Sequence, residues 1–346
     1  MHICIYCIYN GAVKEGVYTM KQEEHTLLKC SHVTKQKGEF VLLDIDFVLE
    51  PGYILGVIGR NGSGKSTLLQ TLLGNYRFTS PSGNEFQMSE KKNIDQTMGD
   101  IQLGGVSLKE DMIHYKEQIA YVLNDTPFPL WMNSKDCGRV YGHYYQSFDG
   151  VKYENLLKNF DIPKKTTLKN LSKGQQIKQQ LAFALSYEAK LYLLDEPTGN
   201  LDVEFRETFY RYIRELTADG SKGVVFVSHL VEELEQLADY ILWIGYKEEK
   251  DSGKKGMQRY FGSMEDLREQ FQLVEANRED AIELAQEAIV GVRERENHQE
   301  LLAQICRDKL SDSLRRISRY GTLKEIMYYI EKGEKGHEAD FFRTMD

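Results

Sequence analysis

Two groups of residues in this 346-residue chain have the types and spacing to do chemistry on a phosphate. Gly59-Arg60-Asn61-Gly62-Ser63-Gly64-Lys65-Ser66-Thr67 fits the pattern G-x-x-x-x-G-K-S/T. Glycines let the backbone curl until successive N–H groups point inward at phosphate oxygens. A helix opening near Lys65 adds its positive N-terminal end. Lys65 is the cation for the terminal phosphates, and Ser66 the hydroxyl for a Mg2+ ion. Farther on, the apolar run Leu191-Tyr192-Leu193-Leu194 delivers Asp195 and Glu196 at its end. Open α/β sheets bind ligands at that end of their strands. Asp195 suits the metal shell. Glu196 suits the polarisation of an attacking water, which needs a carboxylate within hydrogen-bond reach.

These residues need a scaffold. Tyr53 to Ile58 is a short apolar run ahead of the glycines, and Lys65 to Leu73 is helix-like. From Leu27 to about Gly245 strand-like and helix-like stretches alternate, which implies a parallel, doubly wound core. Residues 79–99 are polar and rich in Gly, Ser, Asn and Lys, the composition of an inserted surface loop. Residues 247–262 begin with a charged, glycine-containing stretch and read as a hairpin or linker, and 263–346 as a small accessory helical region with a frayed end. The tyrosines at 141, 144, 145 and 153, with Phe148, are spaced for one helix face. They read either as the core of a helical subdomain or as a groove for a partner's helix. Residues 1–19 read as a leader that is non-native or disordered. Lys14-Glu15-Gly16 can be encoded by a ribosome-binding stretch, and Met20 is the expected natural start.

Composition narrows the class. A net charge of −9 disfavours a non-specific nucleic-acid binder. No apolar run approaches the roughly 20 residues of a membrane-spanning helix, so any membrane crossing falls to another chain. Five scattered cysteines suggest reduced thiols, and the pair Cys4/Cys7 is a lone C-x-x-C match.

A third segment is Leu171-Ser172-Lys173-Gly174-Gln175-Gln176, at the start of a helical stretch. With it the chain resembles the ATP-binding-cassette (ABC) ATPase family, whose signature is L-S-G-G-Q. Here Lys173 replaces the first glycine. Gly199-Asn200-Leu201-Asp202 resembles the family's D-loop, and Val225-Phe226-Val227-Ser228-His229 its switch-histidine strand. The resemblance spans roughly 27–246. It implies an α/β phosphate-loop core with a mixed sheet and flanking helices, a β-subdomain, and a helical subdomain at about 125–187, the whole ATPase domain covering 20–246. It implies ATP and Mg2+ as cofactors, with Gly59 to Thr67 holding ATP, Ser66 and Asp195 holding the metal, and Glu196 and His229 catalytic. Ser172, Gly174, Gln175 and Asp202 are then expected to act in trans, on the nucleotide of a second subunit.

Two family positions are degraded. Asn124 stands where a glutamine that touches Mg2+ is usual, with Asp125 beside it, so the metal contact at 124 is open. Near 34–41, Phe40 is the one ring available for adenine, and it reads equally as a strand residue of the core. The implied protein is the ATP-hydrolysing subunit, a homodimer or heterodimer, of a transporter whose integral membrane permease is a separate chain. It would sit in the cytoplasm against the inner face of the cell membrane and bind no nucleic acid. The chain resembles bacterial subunits grouped with antibiotic-responsive exporters. The competing expectation is a soluble ABC-type ATPase acting as a sensor or remodelling switch.

Overall fold

The computed structural model describes residues 2–9, 12–19, 25–76, 96–249, 253–276, 284, 289–295 and 298–333. The chain divides into two units, one holding Gly16–His229 and Tyr240–Phe261, the other Leu230–Asp239 and Gly262–Asp346. Ahead of both cores, β1 (His2–Tyr9) and β2 (Ala12–Thr19) pair only with each other. The expectation of a disordered leader is therefore corrected to a strand pair. The side chains of Cys4 and Cys7 lie outside what the structure describes.

In the first unit, β3 (Leu28–Lys37), β4 (Phe40–Leu49), β5 (Ile54–Ile58) and α1 (Lys65–Leu72) come first. They are followed by β6 (Gln96–Leu103), β7 (Val106–Ser107), α2 (Met112–Glu117) and β8 (Ile119–Val122). A helical stretch holds α3 (Ser134–Tyr141), α4 (Gly150–Asn159) and α5 (Lys173–Ala184). Then come β9 (Leu191–Asp195), α6 (Val203–Thr217) and β10 (Gly223–Val227). The helix α7 (Val231–Leu237) belongs to the second unit, and β11 (Tyr240–Glu249) and β12 (Gly253–Ser263) return to the sheet of the first.

That sheet has ten strands in the order β7-β6-β3-β4-β12-β11-β5-β10-β9-β8. The strands β11, β5, β10, β9 and β8 are parallel neighbours, whereas β3 runs antiparallel to β4 and β6. Every residue of β5 and β10 is buried. Parallel strands covered on both faces need this unbroken apolar content, because neither face meets water. One core runs from Leu28 and Phe47 through Leu55 and Val57 to Leu193 and Val225.

Several sequence expectations change here. Residues 96–99 open β6 instead of closing the inserted loop, whose other residues lie outside the described part. Of the two readings of residues 247–262, the hairpin holds and the linker does not: 247–249 end β11 and 253–262 lie in β12, its neighbour inside the large sheet. Residues 230–239, expected within the ATPase domain, fall in the second unit.

The expected C-terminal helical region is not helical alone: among the described residues it combines short helices with a four-stranded sheet. Its elements are α8 (Met264–Gln270), β13 (Phe271–Ala276), β14 (Ile289–Glu294), β15 (Gln299–Gln304), α9 (Asp312–Arg316), β16 (Ser318–Tyr320) and α10 (Leu323–Gly333). The order β14-β15-β13-β16 is antiparallel throughout. Gln299-Glu300-Leu301-Leu302-Ala303-Gln304 has good intrinsic helix formers, but it pairs on both sides and buries Leu301 and Leu302 on opposite faces. Tertiary burial overrides a propensity of a few tenths of a kcal/mol per residue. Within this unit α10 is tied to α7. Glu235 accepts from the Leu323 N–H at 2.6 Å, and Lys324 pairs with Glu232 at 2.6 Å.

Candidate functional site

The glycine loop bridges β5 and α1. Gly62 and Gly64 have φ of 83° and 105°, a region that costs a side-chain-bearing residue energy and leaves glycine free. Gly64 is the residue before α1. It gives the helix no side-chain cap, and no acidic residue sits in the first turn. The first N–H groups of α1 thus keep their donors, and the helix end stays positive. An anion is the partner this arrangement lacks.

Neighbouring strands press on the loop so closely that only glycine fits. A Cβ at Gly59 would lie 2.3 Å from the Ile244 carbonyl oxygen, and one at Gly256 would lie 1.9 Å from the Ser63 carbonyl oxygen. Gly256 is on β12, the strand missed in sequence. Ser63 is fully buried, and its hydroxyl has no hydrogen-bond partner. An orphaned buried hydroxyl aimed within an anion loop fits a phosphate oxygen. Lys65 is folded back on the loop, its Nζ donating to the carbonyls of Gly59 at 2.7 Å and Arg60 at 3.2 Å. Burial lowers its pKa, against the opposing pull of Glu196 and Asp195.

A cleft of about 630 Å³ opens over the loop, lined by Asn61, Gly62, Gly64, Lys65, Ser66 and Thr67, with Glu196 facing them. Lys37, Phe40, Tyr246 and Lys254 complete the wall. Phe40 has one side in each region. It packs against the core and against Gly64, and it also lines the cleft. Lys37, Tyr246 and Lys254 were not singled out in sequence. Lys37 lies within the stretch 34–41 considered for adenine. Tyr246 is the last residue of the span assigned to the ATPase domain and Lys254 lies in the segment read as a hairpin or linker, so no local signal tied them to the loop.

The carboxylates arrive on parallel strands. Asp195 ends β9 in register with Val227 of β10. It accepts a hydrogen bond from Ser66. Burial and then the neighbouring Glu196 raise its pKa, opposed by Lys65 and Ser66. Glu196 has a left-handed backbone, φ 47°, which costs a non-glycine residue about 1–2 kcal/mol. Its N–H is held by the Val227 carbonyl at 2.9 Å. The turn brings its carboxylate 3.3 Å from Nδ1 of His229. Ser66 and Asp195 offer a hydroxyl and a carboxylate, the hard oxygen donors that Mg2+ takes alongside water and phosphate. Asn124 is exposed and is not among the residues that line this cleft.

Ser172, Gly174, Gln175 and Asp202 do not line the cleft either. Ser172 caps α5 in a capping box: its Oγ accepts from the Gln175 N–H at 3.2 Å, and Gln175 Oε1 accepts from the Ser172 N–H at 3.1 Å. Both contacts use acceptor atoms. The hydroxyl proton of Ser172 and the amide N–H groups of Gln175 stay available as donors. A Cβ at Gly174 would lie 2.5 Å from the Asn200 carbonyl oxygen, so the signature glycine packs on the D-loop segment of its own chain. Asp202 caps α6 and pairs with Lys178 at 3.1 Å. The aromatic run divides. Tyr145 stacks on Tyr187 with centroids 4.0 Å apart, and Tyr153 and Phe148 pack on Phe183, so Tyr153 is core and the other two are half-buried against it. Tyr144 is 72% exposed, as is Trp131 at 77%.

Comparison with known proteins now bears on this geometry. Residues 42–199 match the ABC transporter family model. This part of the chain is similar to the ATP-binding domain of ABC transporters. The arabinose import ATP-binding protein AraG of Yersinia pestis is 33% identical over 208 residues, 59% of this chain and 37% of AraG. The ABC transporter ATP-binding protein YtrB of Bacillus subtilis is 29% identical over 206 residues, 59% of this chain and 63% of YtrB. The chain thus spans little more than a third of AraG and just under two thirds of YtrB. Among solved structures, an ATP-binding subunit of an ABC transporter superposes with a TM-score of 0.57 at 22% identity, covering 70% of this chain and 92% of that one. A dimeric ATP-binding cassette in a post-hydrolysis state with ADP and Pi gives 0.54 at 18% identity, covering 69% and 99%. These likenesses establish the ABC ATPase fold, a mixed sheet with flanking helices around a phosphate loop.

Proposed function

We propose that this protein is the ATP-hydrolysing subunit of an ABC transporter, and that it works as a dimer beneath a membrane permease carried on another chain. One observation carries the reading. The uncapped start of α1, Lys65, Ser66 and Glu196 line a single cleft, with Asp195 hydrogen-bonded to Ser66 and His229 3.3 Å from Glu196, while the donor-bearing end of α5 does not line it. That half-site is what a second copy would complete.

In this proposal the loop amides, Lys65 and the Ser63 hydroxyl hold the phosphates. Ser66 and Asp195 would hold Mg2+, which would supply charge neutralisation to the phosphates. Glu196 takes up and orients the proton of the attacking water. Glu196 and His229 are 3.3 Å apart, so a ring proton on Nδ1 directed at the carboxylate would fix how the imidazole faces the nucleotide. Ser172, Gly174 and Gln175 of the second copy would close on the γ-phosphate with the donors that their own capping box leaves free. Lys37, Phe40, Tyr246 and Lys254 would surround the rest of the nucleotide. Asn124 is assigned no metal contact.

No described helix is long and apolar enough to cross a membrane, and exposed Leu130, Trp131, Val140 and Tyr144 offer an apolar surface for a protein partner. The permease is proposed to dock there, placing the subunit at the cytoplasmic membrane face. Alanine at Trp131 and Tyr144 is expected to abolish permease co-purification with unchanged melting; retained co-purification rejects this surface. We place the direction of transport as export in a drug response, which rests on the sequence resemblance alone; AraG is itself an importer by name. Drug-dependent induction of the gene beside a permease gene tests that assignment, and a neighbouring sugar-binding protein overturns it. The central test is Mg2+-dependent ATP hydrolysis by the purified protein. Absence of nucleotide binding overturns the whole reading.

A further inference from the structure

Lys173 occupies the place of the signature's first glycine, and its side chain has a partner. Its Nζ lies 2.6 Å from Oδ1 of Asp125. Asp125 stands just after β8, one residue past Asn124. A second contact joins the same two segments. The side chain of Gln180, almost fully buried, accepts from the Leu123 N–H at 2.9 Å and donates to the Leu123 carbonyl at 3.0 Å. Lys173 and Gln180 are two turns apart on α5, so both point from one face of the helix. That face therefore grips the chain at 123 and again at 125. Asn124 is stretched between the two holds and is exposed.

The segment gripped is the exit of β8. Val122 lies in parallel register with Leu194, next to Asp195, so residues 123–125 leave the sheet at the edge that carries the carboxylates. We infer that Lys173–Asp125 and Gln180–Leu123 form a two-point clip that makes the exit of β8 and the signature helix one moving body. Lys173 is then a positioning residue. It sets where the donors of Ser172 and Gln175 stand when a second copy closes on nucleotide. A glycine at 173 could make the backbone turn but not the clip. The inference rests on the proposed action of Ser172 in trans.

The test uses the full chain with Glu196→Gln, which holds ATP without turnover, and measures the concentration at which ATP converts monomer to dimer. Asp125→Ala and Lys173→Ala are each expected to weaken ATP-driven dimerisation by about fivefold, the scale of an exposed ion pair worth ~1 kcal/mol. Fluorescent-ATP affinity of the monomer and the melting temperature are expected to stay as in the parent. The deficit should shrink in high salt, which screens exposed charges. The swap Asp125→Lys with Lys173→Asp, and separately Lys173→Arg, should restore dimerisation. Unchanged or tighter dimerisation in Asp125→Ala, or a swap that fails to rescue, overturns the clip. If the Glu196→Gln parent itself never dimerises with ATP, it is the proposed function that fails.

Discussion

Helices α1 and α5 begin in opposite ways, although both are expected to face phosphate. α1 starts on a left-handed glycine with no side-chain cap and no acidic residue in its first turn. α5 starts on Ser172, which closes a full capping box with Gln175. The open end leaves donors and positive charge for a ligand within the same chain. The closed end is self-sufficient as a helix start, and it retains only the protons that the cap does not use. One end depends on a ligand for completion. The other is finished structure that can be lent to a neighbour.

The strongest way to break this contrast is to stop turnover where the two ends meet. Glu196→Gln is expected to lower ATP hydrolysis by roughly 10²- to 10⁴-fold, the share of a general base, while ATP binding and ATP-driven dimerisation persist in size-exclusion runs. Normal turnover would remove Glu196 from the water-activating role.

Gly256→Ala attacks the open end alone. The new methyl would meet the Ser63 carbonyl, and crowding of this kind costs ~1–3 kcal/mol. We expect nucleotide affinity to fall about ten- to a hundredfold, read by fluorescent-ATP titration, with α5 and its cap untouched. Unchanged affinity would show that β12 does not brace the loop.

Ser172 separates cap from lending. Ser172→Ala removes the cap, worth about 1 kcal/mol, so both melting temperature and dimerisation should drop. Ser172→Asp keeps a good capping oxygen but has no hydroxyl proton and adds negative charge. It should melt like the parent and fail to dimerise with ATP. If Ser172→Asp dimerises normally, the segment is a cap and nothing more.

The smallest effect concerns pH. Burial raises the folded-state pKa of Asp195 above the ordinary carboxylate value. Between those two values the folded protein binds more protons than the unfolded chain, so stability falls as pH rises through that window and stays lowered above it. Asp195→Asn is therefore expected to melt slightly higher than the parent at neutral pH without nucleotide, and to lose Mg2+-dependent turnover. A lower melting point would contradict the burial cost.

The phosphate loop, the acidic strand end and the signature were legible because each is a contiguous run whose chemistry depends on backbone form and neighbouring residue types. Gly59 to Thr67 needs glycines at set intervals, and Leu191 to Glu196 needs an apolar strand ahead of its acids. Gly256, Tyr246, Lys254 and the Lys173–Asp125 pair were not legible. They join segments far apart in sequence, and a pairing register leaves no mark within either partner. The sheet at 271–320 was misread for a related reason: its helix-forming residues became strands because pairing buried them.

By itself, then, the sequence determined the phosphate cradle, the placement of Asp195 and Glu196 at a strand end, and the capped start of α5, since local backbone chemistry decides these. Only the tertiary structure decided that β12 presses on the cradle, that Tyr153 is core while Tyr144 is surface, and that the C-terminal unit includes a sheet. Those outcomes follow from which distant surfaces exclude water together, and no single segment carries that information.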